Sequence, residues 1–300
     1  MELWIPISIA AAFLQNVRSS LQRHLKASLS TTGATFSRFA YAAPLAALYA
    51  FGLAAIGGFD VPRPNAIFFA SMIVGGVSQI LATALLIALF SFRNFAVGTT
   101  FSKTETIQTA IFGIVILGET LSSTAVIAIL ISLFGVFTIS TARTPKGLAG
   151  LISGLTDKAA LIGIASGAFF GISAVSYRAA SLSLGGEGFL MQASFTLAAV
   201  TLFQTALMAI YMRWREPGQM TAVLKAWRVA GLVGLSGMLA SLGWFTAMTI
   251  QNAAYVRALG QVELIFTFAS SYLIFGERSN RSELIGIGLV IAGILILLLV

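Results

Sequence analysis

Ten stretches of about 20 predominantly apolar residues follow one another along this 300-residue chain, with little sequence between them. A helix needs about 20 such residues to cross the roughly 30 Å hydrocarbon core of a bilayer. The sequence therefore predicts an all-α integral membrane protein with ten transmembrane helices. The predicted spans are 3–22, 32–56, 66–91, 95–117, 121–140, 159–182, 188–211, 229–250, 253–275 and 284–300.

Composition excludes several other classes of protein. Only 9% of the residues are charged, against about a quarter in soluble domains. The chain has no cysteine, and its one histidine, His24, falls in a loop. Disulfides, thiolate chemistry and cysteine-ligated metals are thereby excluded, and we expect neither a metal site nor a cofactor. The 18 Lys and Arg residues are dispersed between apolar runs, so nucleic acid is not an expected partner.

The distribution of these cations predicts the orientation, because cytoplasmic loops retain an excess of Lys and Arg. The odd-numbered loops hold twelve of them, whereas the even-numbered loops hold only Arg63. This count predicts a multi-pass protein of a bacterial-type inner (plasma) membrane with both termini in the periplasm. The twelve are Arg23, Lys26, Arg93, Arg143, Lys146, Lys158, Arg213, Arg215, Lys225, Arg228, Arg278 and Arg281.

An internal repeat divides the chain into halves. At an offset of 158 residues, Asn94 aligns with Asn252, Glu105 with Glu263, and Gly118-Glu119 with Gly276-Glu277. Each half then has five spans, and an odd number makes the second half enter the membrane in the opposite sense. We predict two inverted five-helix repeats, residues 1–141 and 158–300, joined by a linker at 142–157. Substrate sites of inverted-repeat transporters lie near the bilayer midplane where the repeats meet.

Seven ionisable residues fall inside the predicted spans, where a charge is costly unless it faces a cavity or a partner. They are Arg18, Arg38, Lys103, Glu105, Arg178, Arg257 and Glu263. The two acids lie near mid-span on equivalent helices and are our first candidates for a functional site. Lys103 and Glu105, two residues apart, do not share a helix face. A structural ion pair is the alternative role for either acid, and snorkelling to the cytoplasm is the alternative for Arg18 and Arg38.

Polar and aromatic residues on the same or neighbouring helices extend this candidate site. Gln261 is the repeat equivalent of Lys103, which makes the surroundings of the two acids unequal and favours Glu263 as the protonatable one. Tyr177 and Trp244 could line an aromatic pocket, or serve in packing or as interface anchors. The predicted substrate-binding set is Lys103, Glu105, Arg178, Arg257, Gln261, Glu263, Tyr177 and Trp244.

Glycines and apolar spans are read as scaffold. Gly163, Gly167 and Gly171 in span 6 indicate close helix packing rather than a phosphate-binding loop. Gly118-Glu119 indicates a turn. Residues 284–300 carry no polar side chain, so spans 5 and 10 suit a lipid-facing or dimer-forming role, and a homodimer through these two helices is one expectation.

Two five-span units that each close with Gly-Glu and a glycine-bearing apolar helix resemble the EamA family of the drug/metabolite transporter superfamily. The similarity covers the whole chain and is clearest from Lys103-Thr104-Glu105 to Gly135 and from Gln261-Val262-Glu263 to Gly293. The resemblance implies a ten-helix transporter whose cavity is lined by spans 1–4 and 6–9, with spans 5 and 10 peripheral. The usual member has cytoplasmic termini, a departure from the orientation predicted by the loop charges.

We therefore expect a secondary transporter, with alternating access and export as the direction, for a small polar metabolite such as an amino acid or other carboxylate. The surplus of cations inside the spans favours an anionic group, and a proton could be coupled to transport. An organophosphate or nucleotide-sugar exchanger is the first alternative, and would need two or more of Lys103, Arg178 and Arg257 at one ligand. An intramembrane enzyme is the second, although the chain contains no His-Glu-x-x-His, Gly-x-Ser-x-Gly or Walker sequence. A channel is a further alternative.

Overall fold

The computed structural model of the chain describes residues 2–89, 92, 95–142, 157–186, 188–275 and 280–299. All regular structure in these residues is helical, in agreement with the predicted all-α class. The helices are α1 (Trp4–Leu25), α2 (Thr31–Ala55), α3 (Ala66–Ala88), α4 (Phe95–Ser102), α5 (Glu105–Leu117), α6 (Ser123–Thr141), α7 (Lys158–Ser183), α8 (Phe189–Arg215), α9 (Gln219–Lys225), α10 (Trp227–Ile250), α11 (Ala253–Leu259), α12 (Val262–Phe275) and α13 (Arg281–Leu298).

Seven helices in the described residues are long and apolar enough to cross a membrane: α2, α3, α6, α7, α8, α10 and α13. The other three predicted spans coincide with α1 and with two pairs of shorter helices, α4 with α5 and α11 with α12. Our prediction of one continuous helix over 95–117 and another over 253–275 is therefore wrong. The first stretch breaks at Lys103 and Thr104, and the second at Gly260 and Gln261. The linker predicted at 142–157 lies almost entirely outside the described residues.

Several helix ends carry capping interactions that the local sequence dictates. Ser30 caps α2 and Ser122 caps α6, each accepting a hydrogen bond from a backbone N–H three residues on. Asn280 and Glu283 form a reciprocal capping box at α13. Gly118 ends α5 in the left-handed region, with φ at 66°, and the N–H of Glu119 reaches back to the carbonyl of Gly113. The predicted turn at Gly118-Glu119 is confirmed, and the reason is that glycine occupies this conformation without strain.

The helices fall into two compact units, each built from residues of both predicted repeats. Unit 1 comprises Met1–Val77 and Ser176–Gln251. Its core contains Phe68, Tyr177 and Phe245 from three different helices. Small residues allow close approach within this unit: a Cβ on Gly234 of α10 would lie 2.2 Å from the Cβ of Tyr41 in α2. α10 therefore packs tightly against its neighbours in unit 1.

Unit 2 comprises Ser78–Val175 and Asn252–Val300. Within it, α6 and α13, which are spans 5 and 10 of the sequence prediction, pack against each other through glycines. A Cβ on Gly135 would lie 2.7 Å from the carbonyl oxygen of Gly286, and one on Gly293 would lie 2.8 Å from that of Ala128. The backbones of these two helices are thus in direct contact, which small residues at a helix interface permit.

Candidate functional site

The two helix breaks of unit 2 are tight turns rather than open loops. At the first, the N–H groups of Lys103 and Thr104 donate to the carbonyls of Thr100 and Phe101, three residues back in each case. At the second, Gln261 and Glu263 make the same kind of bond to Ala258 and Gly260. This i to i−3 pattern is that of a 3₁₀ turn, which in the middle of a helix often marks a functional hinge.

Local chemistry accounts for the first break. The hydroxyl of Thr104 donates to the carbonyl of Phe101 at 2.6 Å, and that of Ser102 donates to Thr99 at 2.8 Å. Side-chain hydroxyls that bond to nearby carbonyls compete with the helical ladder and bend it. At the second break Gly260 contributes no side chain and has low helix propensity. The two breaks occupy equivalent positions under the 158-residue offset.

Two ion pairs cross between the broken helices. Lys103, in the first break, places its Nζ 2.6 Å from Oε1 of Glu263, in the first turn of α12. Arg257, in α11, places its Nη1 3.1 Å from Oε1 of Glu105, the first residue of α5. Each predicted repeat thus supplies the cation of one pair and the acid of the other. We call these four residues the crossed ion pairs.

The position of each charge along its helix is favourable. Glu105 and Glu263 lie in the first turns of α5 and α12, where the partial positive charge of the helix N-terminus stabilises a carboxylate. The side chains are partly accessible, at 30% and 22% for Lys103 and Glu263 and 17% and 19% for Arg257 and Glu105. Such accessibility means that another charged group could reach them.

Amide side chains form hydrogen bonds to groups at and beside the breaks. Nε2 of Gln261 donates to the hydroxyl of Thr106 at 3.1 Å. Nε2 of Gln108 donates to the hydroxyl of Thr104 at 3.1 Å and to the carbonyl of Ile164 at 3.3 Å. The Oε1 atoms of both glutamines are buried and find no hydrogen-bond donor among the described residues. Buried acceptors of this kind favour a ligand that can donate.

A row of glycines on α7 lies directly against the first broken helix. A Cβ on Gly163 would lie 2.0 Å from the carbonyl oxygen of Gly98, and one on Gly167 would lie 2.9 Å from that of Ser102 and 3.1 Å from the nitrogen of Glu105. The predicted packing role of these glycines is confirmed. At Gly167, α7 is therefore in close contact with the backbone of the first break, next to Lys103 and Glu105.

Arg178, another predicted ligand, belongs to unit 1, where its guanidinium caps the C-terminal end of a helix. Nη1 donates to the carbonyls of Met248 at 2.5 Å and Gln251 at 2.7 Å, at the end of α10. A cation at this position complements the partial negative charge of the helix C-terminus and satisfies carbonyls that the helix leaves without partners. Substrate binding by Arg178 stays a prediction.

Tyr177 and Trp244 are buried in unit 1. Tyr177 is 1% exposed and stacks on Phe245 with ring centroids 4.5 Å apart. The indole Nε1 of Trp244 donates to Oε1 of Gln15 at 3.0 Å. The structure thus gives both residues packing contacts, and it brings together in unit 2 the other five predicted ligands: Lys103, Glu105, Arg257, Gln261 and Glu263.

Several polar residues of these networks were missed by the sequence reasoning. Gln15 and Gln204 are amides in the middle of apolar spans, and that placement was the signal that could have identified them. Gln204 is fully buried, and its Nε2 donates to the hydroxyl of Tyr177 at 3.3 Å and to the carbonyl of Gly76 at 3.2 Å. Across the described part of the chain, no group of three or more His, Cys, Asp or Glu residues is arranged to hold a metal ion.

Comparison with known proteins gives matches of three kinds. Residues 157–299 match the EamA-like transporter family. A 92-residue segment is 26% identical to an uncharacterized transporter in the cobO 3' region of a Sinorhizobium species, covering 31% of this chain and 64% of that protein's length. The fold is similar to a crystal structure at a TM-score of 0.72 and 16% identity, over 99% of this chain and 96% of that one.

Proposed function

We propose that this chain is a member of the EamA family of the drug/metabolite transporter superfamily, because residues 157–299 match the EamA-like transporter family, and that it is a secondary transporter for a small polar metabolite. The observation that carries the proposal is the pair of broken helices joined by the crossed ion pairs. Transporters built from inverted repeats commonly bind their substrates at discontinuous helices near the bilayer midplane. The proposal includes ten membrane spans in two inverted repeats, at 1–141 and 158–300.

The substrate we propose is an amino acid or another carboxylate with a donor group. The carboxylate of an amino acid can compete with Glu263 for Lys103, or with Glu105 for Arg257, and the ammonium group of the same molecule keeps the net charge of the cluster unchanged. An ammonium or hydroxyl group of the same substrate can donate to Gln108 or to the carboxylate that has been released. The carboxylate and the donor group of the substrate then replace contacts within an ion pair of the protein. Substrate binding and the opening of that ion pair are therefore linked.

Opening one pair would supply the switch for alternating access. A charge left inside the membrane without its partner is strongly unfavourable, so each pair holds its broken helices in one arrangement until substrate or a proton takes the partner's place. We propose Glu263 as the proton-accepting member, because a proton on Glu263 would release Lys103. Proton-coupled export from a bacterial-type inner membrane is the direction that we propose.

An organophosphate or nucleotide-sugar exchanger is the alternative supported by one observation. Lys103 and Arg257 lie in the same unit and belong to one interlocked cluster, so both could bind a phosphate group. Each is already matched by a carboxylate, however, which favours a substrate of balanced charge over one that brings two or more negative charges. The match of residues 157–299 to the EamA-like transporter family supports transport rather than an intramembrane enzyme.

A homodimer through spans 5 and 10 is also part of the proposal, with one restriction. The glycine faces of α6 and α13 are used on each other, so a second copy would have to contact their outer faces, where Leu130 is 51% and Leu295 57% exposed. The mass of the purified protein in detergent, measured by light scattering, tests this. A monomer that persists at high concentration contradicts it.

Counterflow in proteoliposomes is the experiment that tests the transport proposal. The purified chain would first be screened by thermal shift against amino acids, organic acids and phosphates, and the best ligand would be used as a radiolabelled tracer. We expect saturable uptake that is accelerated by the same ligand inside the vesicles. Lys103→Gln and Arg257→Gln should raise the half-saturating concentration at least tenfold, whereas Lys158→Gln, which removes an exposed cation at the start of α7, should not. Flux that neither saturates nor shows counterflow indicates a channel.

A further inference from the structure

The segment from Tyr211 to Arg228 combines exposed aromatic rings with exposed cations. Trp214 is 81% exposed, Trp227 60% and Tyr211 50%. The cations beside them are Arg213, Arg215, Lys225 and Arg228, all of them exposed. We call these seven residues the aromatic–basic surface. It lies entirely within unit 1, at the end of α8, across the short helix α9 and at the start of α10.

The aromatic rings indicate the level of the membrane interface. Trp and Tyr concentrate at the headgroup level, where an amphipathic ring has one side in hydrocarbon and the other in water. Helix α8 has 27 residues and is therefore about 40 Å long, more than the roughly 30 Å of a hydrocarbon core. Its C-terminal turn, with Trp214, can thus extend into the headgroups. Trp227 begins α10 at the other end of the same connection.

The cations lie at most two residues from these rings, so rings at the headgroup level would bring them to the depth of the lipid phosphates. Arg213 and Arg215 flank Trp214, and the guanidinium carbon of Arg228 lies 5.6 Å from the centroid of the Trp227 ring. A basic residue next to an interfacial ring can hold an anionic headgroup while the ring contacts the upper acyl chain.

The acid in this segment is turned toward the protein. Glu216 accepts a hydrogen bond from the hydroxyl of Ser30 at 2.5 Å, and the backbone N–H of Ser30 donates to the side chain of Gln219 at 3.2 Å. The hydroxyl of Tyr41 donates to the carbonyl of Val223 in α9 at 3.4 Å. These bonds fasten the connection to the start of α2 and to α2 itself, so the surface is held in one shape.

We propose that the aromatic–basic surface is a binding site for anionic phospholipid headgroups. The partner is a lipid rather than a soluble phosphate because every cation lies within two residues of an exposed aromatic ring, and a lipid offers an acyl chain to the ring together with a headgroup for the cation. Leu224, 67% exposed on α9, adds to the apolar contact. The proposal is independent of transport: it would hold whatever substrate the protein carries.

The four tryptophans of the chain allow a direct test. Trp4 and Trp244 are only 4% and 6% exposed, so brominated lipids should quench mainly Trp214 and Trp227. The full chain would be reconstituted in phosphatidylcholine with increasing brominated phosphatidylglycerol, and then with the bromine on phosphatidylcholine instead. We expect stronger quenching by the anionic lipid at equal mole fraction. Trp214→Phe/Trp227→Phe should remove most of the signal.

A charge-matched pair of variants identifies the cations responsible. Lys225→Gln/Arg228→Gln should reduce the preference for the anionic lipid by about fivefold for each cation lost, whereas Arg63→Gln/Lys158→Gln, which removes the same charge elsewhere, should leave it unchanged. Equal quenching by the two brominated lipids would overturn the proposal. Equal losses in the two double variants would also overturn it. If excess inorganic phosphate displaces the lipid, the site belongs to soluble phosphate instead.

Discussion

At the scale of single residues, the crossed ion pairs can be separated by a double-mutant cycle. Removing one partner of a largely buried pair costs up to about 3–5 kcal/mol, and less here because Lys103 and Glu263 keep 30% and 22% accessibility. We expect Lys103→Met and Glu263→Met each to lower the thermal unfolding temperature in detergent. The double variant should be more stable than the sum of the two losses predicts, because it leaves no uncompensated charge.

Lys103→Met combined with Glu105→Met is the control for this cycle, since these two residues belong to different pairs. Their losses should come closer to additivity than those of Lys103 and Glu263. Additivity in the Lys103 and Glu263 cycle would mean that the 2.6 Å contact contributes no coupling energy, and the proposed switch would lose its basis.

Glu263 is expected to couple transport to protons. Glu263→Gln keeps the shape of the side chain but can neither be ionised nor take up a proton. We therefore expect it to abolish accumulation of substrate driven by a pH gradient while substrate exchange continues. Glu105→Gln is the matched control on the equivalent helix and should retain gradient-driven accumulation. If Glu263→Gln accumulates substrate under a pH gradient as the wild type does, the proposed proton role of Glu263 is contradicted.

Arg178 offers a choice between a structural role and a ligand role. Arg178→Gln removes a charged donor from the last carbonyls of α10, and we expect a loss of about 1–2 kcal/mol of stability. If capping is its whole contribution, the half-saturating substrate concentration should not change. A clear rise in that concentration without any loss of stability would assign Arg178 to the substrate, as the sequence predicted.

The sequence identified the charged residues but not their partners. Lys103, Glu105, Arg257 and Glu263 stood out because charges are rare inside apolar spans. Their pairing joins residues that are 160 and 152 positions apart in the sequence, whereas helical periodicity reports only on neighbours three or four positions apart. The same limit applies to Trp244 and Gln15, which meet across two helices.

At the scale of helices, the glycine row of α7 should be intolerant of side chains. Gly167→Ala would place a methyl group 2.9 Å from the carbonyl oxygen of Ser102, in backbone that cannot move without disturbing the break. We expect a loss of about 1–3 kcal/mol of stability from this overpacking, together with impaired transport. Thermal unfolding and counterflow measure the two effects.

The control for this prediction is Gly52→Ala in α2, where a Cβ would meet nothing within 4 Å. There the gain in helix propensity should leave the protein as stable as the wild type, or slightly more stable. If Gly167→Ala behaves like Gly52→Ala, the packing of α7 does not constrain the first break.

Hydropathy predicted the positions of the helices well, but it did not predict the two helix breaks. The predicted span 66–91 corresponds to α3 at Ala66–Ala88, and 229–250 to α10 at Trp227–Ile250, because the transition from apolar to polar sequence coincides with the helix ends. The stretches 95–117 and 253–275 are equally apolar on average, so an averaged signal runs through the turns at Lys103 and Gly260. The breaks depend on hydroxyl back-bonding, glycine and packing, none of which changes the hydropathy.

At the scale of the whole molecule, the cations are unevenly divided between the units. Unit 1 contains ten Lys and Arg residues against four Asp and Glu, whereas unit 2 contains eight against six. Three of the ten cations of unit 1 lie inside helices, away from the helix ends, and six of the other seven lie in or beside the two connections that contain Lys26 and Lys225. This distribution favours an orientation with the loops of unit 1 that carry Lys26 and Lys225 in the cytoplasm.

The orientation can be tested with single cysteines because the chain has none of its own. Asp60 and Thr221 are both exposed and fall in loops that the charge count assigns to opposite sides. In intact cells, a membrane-impermeant maleimide should label Asp60→Cys at once and Thr221→Cys only after the membrane is permeabilised. The detergent-solubilised protein controls for reactivity, since both cysteines should be labelled there.

The reverse pattern would put both termini in the cytoplasm, the arrangement usual for the family. The inverted relation of the repeats would survive that result, because turning the entire molecule over exchanges the two sides for both halves alike. Labelling of both positions in intact cells would contradict the number of spans between them, and with it the two five-helix repeats.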